Sequence, residues 1–291
     1  MIKTMDTTMP RVAAIHDLAG FGRCSLSVIL PLLSVMGVQA CPVPTAVLSA
    51  HTGGLGDVRI KDLSGYLSES LVHYKELNLK FDCIYTGFLN SPGQIDSCLA
   101  WAQQYPEAFL VVDPVMGDNG KAYRTVTKEL QGRMKELAKK ANLITPNLTE
   151  GCILLGEPYP EMQLSTQEAK SMLVRLAEMG PDMVVITSAP LYGGGKINIA
   201  YDKVRGSFWQ VKSEMVPGGY PGTGDMFAAI LVGGLLRGDS LPIAMERATR
   251  FLELAIKTTY GYGTDSRYGV LFEKVVPFLT EERMFSGYER L

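Results

Sequence analysis

Residues 11–37 read RVAAIHDLAGFGRCSLSVILPLLSVMG, and the order of residue types in this stretch decides the fold class. A short β-forming run, VAAIHDL, leads into a glycine turn at Gly20 and Gly22. An apolar segment with the length of a buried helix follows and stops at Gly37. Strand, turn and helix in that order make the opening unit of a parallel sheet.

The unit recurs along the chain. VQACPVPTAVLS reads as a second strand, residues 58–77 as a helix, FDCIYTGFL as a strand and residues 91–104 as a helix. FLVVDPVMG is a strand and residues 127–139 a helix. ANLITPN is a strand running into a short helix at 148–155, and a helix at 166–179 precedes the strand MVVITS. The unbroken apolar runs Leu110–Val112 and Val184–Ile186 fit strands covered on both faces. After Gly193, Gly194 and Gly195 the period changes to two alternating runs around Arg205 and Gly206, which predict a hairpin at one end of the sheet. PGTGDMFAAILVGGLL, residues 221–236, is a glycine turn opening an apolar helix, and a last helix at 241–260 starts behind Ser240. No linker or repeat interrupts the series, so residues 1–291 are expected to form one α/β domain with a doubly wound, mostly parallel sheet flanked by helices.

Composition narrows the function. Lys plus Arg number 28 and Asp plus Glu 30, a balance of −2 that gives no footprint for nucleic acid or an anionic membrane. The five cysteines, Cys24, Cys41, Cys83, Cys98 and Cys152, are odd in number and contain no C-x-x-C pair, which argues against a disulfide frame or a thiolate metal site. The polar start MIKTMDTTMPR lacks an apolar core, and no later run reaches the roughly 18 residues a span needs. A soluble cytoplasmic protein is expected.

In doubly wound sheets, ligands sit at the carboxyl ends of the strands. The polar residues just past each expected strand are Asp17, the run Ser49–Gly53, Thr86 to Phe88, Asp113, Asp118, Asn119, Asn147, Glu150, Thr187 and Ser188. These are the groups that phosphate and magnesium chemistry uses. Asp113, Asp118 and Glu150 are hard oxygen ligands suited to Mg²⁺, although Asp113 can equally cap a turn and Glu150 a helix. Asn147 can cap the helix at 148 or orient a metal-bound water. Thr187 and Ser188 can donate to a nucleotide or simply close a strand. His51 and Thr52 can line a small-molecule pocket, while His16 and His73 read as structural. The amides of Gly222, Thr223, Gly224 and Asp225, at the start of a helix, form an anion site. A carboxylate at 225 opposes that anion unless it has a task, and taking a proton from an attacking hydroxyl is such a task.

Two nucleotide devices are missing. There is no G-x-x-x-x-G-K-[ST], and Ser25 stands where a dinucleotide fold would need its third glycine after Gly20 and Gly22. A dehydrogenase is therefore disfavoured.

The segments DPVMGD at 113–118, TPNLTE at 145–150, MGPDMVVITS at 179–188 and GTGD at 222–225 occur in an order and at spacings that resemble the pyridoxal kinases of the ribokinase-like superfamily. The resemblance runs from Val12 to the helix at Leu241. It implies a three-layer α/β/α fold and transfer of a phosphoryl group from ATP, with Mg²⁺, to the 5′-hydroxymethyl group of pyridoxal, pyridoxamine or pyridoxine. Asp225 would be the catalytic base and Gly222, Thr223 and Gly224 the anion hole. Asp118 and Glu150 would serve the metal, and Asp113, Asn147, Thr187, Ser188, Gly222 and Gly224 the ATP. Asp17, His51, Thr52, Phe88 and Asp225 would meet the acceptor, and Tyr123 would sit on a lid. The resemblance also implies a homodimer and leaves a monovalent cation requirement open. Two departures stand out: the family typically has serine where this chain has Asp17, and tyrosine where it has Phe88. The competing readings are a hydroxymethylpyrimidine (phosphate) kinase and a non-catalytic carrier of pyridoxal phosphate or a nucleotide.

Overall fold

A computed structural model describes residues 9–193, 195–214, 219–281 and 284–291. Gly194 of the triple glycine, and Met215 and Val216 at the end of the expected hairpin stretch, lie outside the described residues. In chain order the elements are β1 (Arg11–Ala19), α1 (Leu26–Val35), β2 (Gln39–Leu48), β3 (Ile60–Asp62), α2 (Ser64–Glu76), β4 (Cys83–Thr86), α3 (Pro92–Gln104) and β5 (Phe109–Val112). Then come β6 (Gly117–Asp118), β7 (Lys121–Ala122), α4 (Lys128–Ala138), β8 (Leu143–Ile144), α5 (Leu148–Leu155), α6 (Thr166–Glu178) and β9 (Met183–Pro190). The remainder is β10 (Lys196–Asp202), β11 (Ser207–Lys212), α7 (Thr223–Leu236), α8 (Leu241–Tyr262) and β12 (Tyr288–Arg290).

One sheet has the order β12-β11-β10-β9-β8-β5-β4-β1-β2-β3. Its middle, from β9 to β2, is parallel, while β10, β11 and β12 on one side and β3 on the other run antiparallel to their neighbours. Alternation along β1 divides the core in two. Val12 and Ala14 join α1, α7 and α8 on one face, whereas Ala13 and Ile15 join α3, α4 and α6 on the other. Helices thus cover both faces, and α7 is buried along its whole length from Met226 to Leu236.

Helix starts follow from local side chains. Ser91 and Thr127 accept the amides of Gln94 and Leu130, and Asn147 with Glu150 and Ser165 with Glu168 close reciprocal capping boxes. The expected helix at 58–77 is corrected at its front. Residues 60–62 instead pair antiparallel with β2 as a short exposed edge strand, and Asp62 turns the chain by accepting the Ser64 amide at 2.9 Å before α2 begins. Among the described residues no helix is long and apolar enough to cross a membrane.

Candidate active site

Two helix N-termini meet at the carboxyl end of the sheet. α7 opens at Gly222, whose φ of 80° lies in the left-handed region, and a Cβ there would overlap the Arg23 carbonyl oxygen just before α1. Only glycine satisfies both conditions. One turn on, the Asp225 Oδ2 accepts the N–H of Ser25 at 2.8 Å, and Ser25 is itself the N-cap of α1 with a left-handed φ of 51°. The first-turn carboxylate of one helix therefore satisfies an orphan amide of the other. Gly224 is exposed with open space where a side chain would be, so the amide end of α7 is accessible. Burial pushes the Asp225 carboxyl up to about 7, opposed by the Ser25 amide and reinforced by the charge of Asp17.

The other acids gather around the same point. Asp113, just past β5, is buried and held well above the usual carboxylate range by burial and by the charges of Glu150 and Asp225. Glu150 is buried in the first turn of α5, where one oxygen accepts Asn147 N at 2.8 Å and the other Met116 N at 3.1 Å. Burial outweighs these amides and pushes Glu150 up to about 8. Asp118 is exposed in the β6–β7 hairpin, with its oxygens on the amide and side chain of Asn119 at 2.8 and 2.9 Å. Tyr123 follows that hairpin, and its phenol, raised first by burial, feels the charges of Glu150, Asp118, Asp113 and Asp225. These five side chains form one electrostatic unit.

Among the described residues, no group of three or more His, Cys, Asp or Glu side chains could hold a metal ion unaided. Mg²⁺ does not require such a cage, because it retains waters and binds through one or two carboxylates plus substrate phosphates. The donor set fits that mode. Asp113 accepts no main-chain N–H among the described residues, and its mutual repulsion with Glu150 and Asp225 is what a cation would relieve.

On the acceptor side, Asp17 is buried at the end of β1, raised first by burial, and its Oδ1 has no hydrogen-bond partner. His51 lies close by with both ring nitrogens engaged: Nδ1 accepts Gly53 N at 3.0 Å, so Nε2 carries the hydrogen toward Arg267 O at 2.6 Å. His51 is buried with its ring edge packed against Gly22, so it braces the glycine turn and has no ring nitrogen free for a ligand. Thr52 is exposed and Phe88 half-buried. His16 is fully buried against Tyr85, with ring centroids 4.3 Å apart, and burial lowers it to about 3, so it stays neutral. A cavity of about 470 Å³ is lined by the Gly20–Arg23 turn together with Thr264, Tyr268, Leu271 and Glu273.

On the other flank, Asn147 has its side chain committed, accepting Glu150 N at 3.0 Å and donating to Gly117 O at 2.8 Å. It ties α5 to the hairpin carrying Asp118. Thr187 bridges to Asn147, and Ser188 is exposed with a left-handed φ of 53°.

A profile of the phosphomethylpyrimidine kinase family matches residues 30–269. The chain belongs to that family. It is 30% identical over 249 residues to the pyridoxal kinase of Homo sapiens, covering 78% of each chain. It is 25% identical over 259 residues to the hydroxymethylpyrimidine/phosphomethylpyrimidine kinase of Mycobacterium tuberculosis, covering 88% of this chain and 91% of the other. A Bacteroides thetaiotaomicron protein assigned as a phosphomethylpyrimidine kinase, in a crystal form with pyridoxal, superposes with a TM-score of 0.92 at 41% identity over 98% of this chain and 100% of that one. The pyridoxal kinase of Lactobacillus plantarum superposes with a TM-score of 0.85 at 30% identity over 94% and 97%. The expected membership of the pyridoxal kinase family, with its ribokinase-like α/β fold, is borne out.

Sequence reasoning missed several residues of this kinase. Ser25 is read there as a missing third glycine, but it holds Asp225. Tyr85, fully buried with an unpartnered hydroxyl, lies in the field of both Asp113 and Asp225. Met116 and Thr149 fix the hairpin to α5, the latter by accepting Gly120 N at 2.9 Å. The hydroxyl of Thr149, two residues past a helix cap, is the one local signal the sequence offered.

Proposed function

We propose that this kinase transfers the γ-phosphoryl group of ATP to the 5′-hydroxymethyl group of a vitamin B6 vitamer, with Asp225 as general base. The observation that carries the reading is the placement of Asp225. It is held by Ser25 N through Oδ2, stands beside the amides of the α7 N-terminus and lies within the field of Asp113. With Oδ2 occupied, Oδ1 is the oxygen for the acceptor hydroxyl. A carboxyl near 7 is matched to proton transfer at neutral pH.

The amides from Gly222 to Asp225 would meet the charge on the migrating phosphoryl group, a stabilisation that costs no reorganisation because the helix fixes them. Mg²⁺ would supply the remaining charge neutralisation, held by Asp113 and Glu150 directly or through water, with Asp118 acting through water. Tyr123 would cover the acids from solvent. Asp17 would pair with a cationic group of the acceptor, because a buried carboxylate oxygen without a partner is costly unless a ligand provides one. Support for a B6 acceptor comes from the Bacteroides relative with pyridoxal and from the human pyridoxal kinase.

The family profile favours a second acceptor, hydroxymethylpyrimidine or its phosphate. Following ADP release with MgATP and a panel of pyridoxal, pyridoxamine, pyridoxine and the two pyrimidines separates the readings. Turnover on at least one B6 vitamer above that on either pyrimidine is expected. Turnover on the pyrimidines alone would replace the acceptor, and binding without ADP release would make the protein a carrier.

A further inference from the structure

Ser188 ends the regular part of β9 with an exposed residue in left-handed backbone, a conformation that a non-glycine residue holds only when its surroundings enforce it. The enforcing group is on the next strand. Pairing between β9 and β10 matches Ile197 with Ala189 and Ile199 with Ile186, so Thr187 and Ser188 face the single residue Asn198 across a bulge. The Asn198 side chain replaces the lost ladder bond by accepting Ser188 N at 2.9 Å.

The amide orientation follows from its other partner. The Thr249 hydroxyl on α8 spends its one hydrogen on Met245 O at 2.8 Å, so it can only accept, and Asn198 Nδ2 donates to it at 2.9 Å. Oδ1 is thereby aimed at Ser188. Asn198 is 7% and Thr249 2% exposed, so neither contact is exchanged for water. On the opposite side, Thr187 N donates to Pro146 O at 3.0 Å, beside the Asn147 cap. The strand end is therefore clamped from both flanks, and the half on the β10 side is anchored in α8.

We propose that Asn198 is a positioning residue for the nucleotide, fixing the strained Ser188 backbone through the Thr249 anchor so that the Thr187–Ser188 rim is preformed before ATP arrives. This rests on the reading of Thr187 and Ser188 as nucleotide contacts given above. Asn198 touches no substrate. Its loss costs ordering of the rim at binding rather than at the chemical step.

The test combines nucleotide affinity, kinetics and hydrogen exchange on the full chain. Asn198→Ala should weaken MgADP binding and raise KM for ATP about tenfold. Turnover number and KM for the acceptor should stay within about twofold. Thr249→Val, nearly isosteric, should move KM for ATP the same way by roughly threefold, and it decides the matter if Asn198→Ala fails to fold. In a Ser188→Gly background, where the left-handed backbone is unstrained, Asn198→Ala should have much less effect on nucleotide affinity. Unchanged ADP affinity in folded variants, or equal effects in both backgrounds, would overturn the proposal. Hydrogen exchange at residues 186–189 separates the two levels, and because the Thr187 and Ser188 amides are already bonded in the unaltered protein it is read in Asn198→Ala, where they should exchange faster and MgADP should slow them again. Failure of MgADP to slow the loosened amides defeats the nucleotide reading and the proposal with it, whereas exchange unchanged by Asn198→Ala defeats the proposal alone.

Discussion

The Asp225 carboxylate accepts the main-chain N–H of Ser25 at 2.8 Å across 200 residues of sequence. This single bond joins the N-termini of α7 and α1 and fixes the orientation of the acid on which the proposed chemistry depends. Its partner is a backbone amide in a constrained, left-handed residue, so the carboxylate does not need a flexible side chain to aim it.

The pH dependence of kcat/KM for the acceptor follows from this placement. Asp225 acts ionised, and burial raises it to about 7, so the rate should climb through neutral pH with an apparent pKa near 7 and level off above. Asp17→Asn removes a charge that raises Asp225 and should shift the acid limb to lower pH. A limb near 4, that of an ordinary aspartate, would show that Asp225 is not the group being titrated.

Stability should show the opposite preference. A carboxyl raised from 3.8 to about 7 on folding contributes fully below pH 4, and that contribution is lost as pH rises through 7. Asp225→Asn keeps an acceptor for Ser25 N without the half-buried charge. In calorimetry its Tm should exceed that of the unaltered chain by at least about 3 °C at pH 8.5 and match it near pH 4. Equal Tm values at both pH values would mean that the site does not strain the charge.

Much of this was legible from residue order. The parallel centre of the sheet announced itself because β1, β4, β5 and β9 are apolar runs set between helices of periodic spacing. The strand-end rule then gathered Asp17, Asp113, Glu150 and Ser188 on one rim. What stayed hidden was either too short or too distant to leave a local pattern. β6 and β7 have two residues each, and β3 is three exposed residues in front of a helix. The pairings Ser25 with Asp225 and Ser188 with Asn198 join side chains to amides that no periodicity relates. Glu150 shows the converse: its spacing from Asn147 is a capping box, yet its burial among other acids is a tertiary property.

Gly222→Ala tests the junction sterically. The new Cβ would overlap Arg23 O, and φ of 80° is strained for any side chain. A loss of roughly 2–4 kcal/mol and a Tm drop of about 5 °C or more are expected, together with weaker nucleotide binding. A Tm within a degree of the original would show that the two helix starts are not in contact.

Asp17 should set acceptor preference. Its unpartnered Oδ1 favours a cationic acceptor, so Asp17→Ser should lower kcat/KM on pyridoxamine more than on pyridoxal. An unchanged ratio of the two efficiencies removes Asp17 from specificity.

The most direct measurement is single-turnover phosphoryl transfer by Asp225→Asn, with MgADP affinity determined on the same preparation. A rate at least about a hundredfold lower is expected, with nucleotide affinity retained within a few-fold. Near-native transfer by this variant would contradict the role given to Asp225 and, with it, the mechanism.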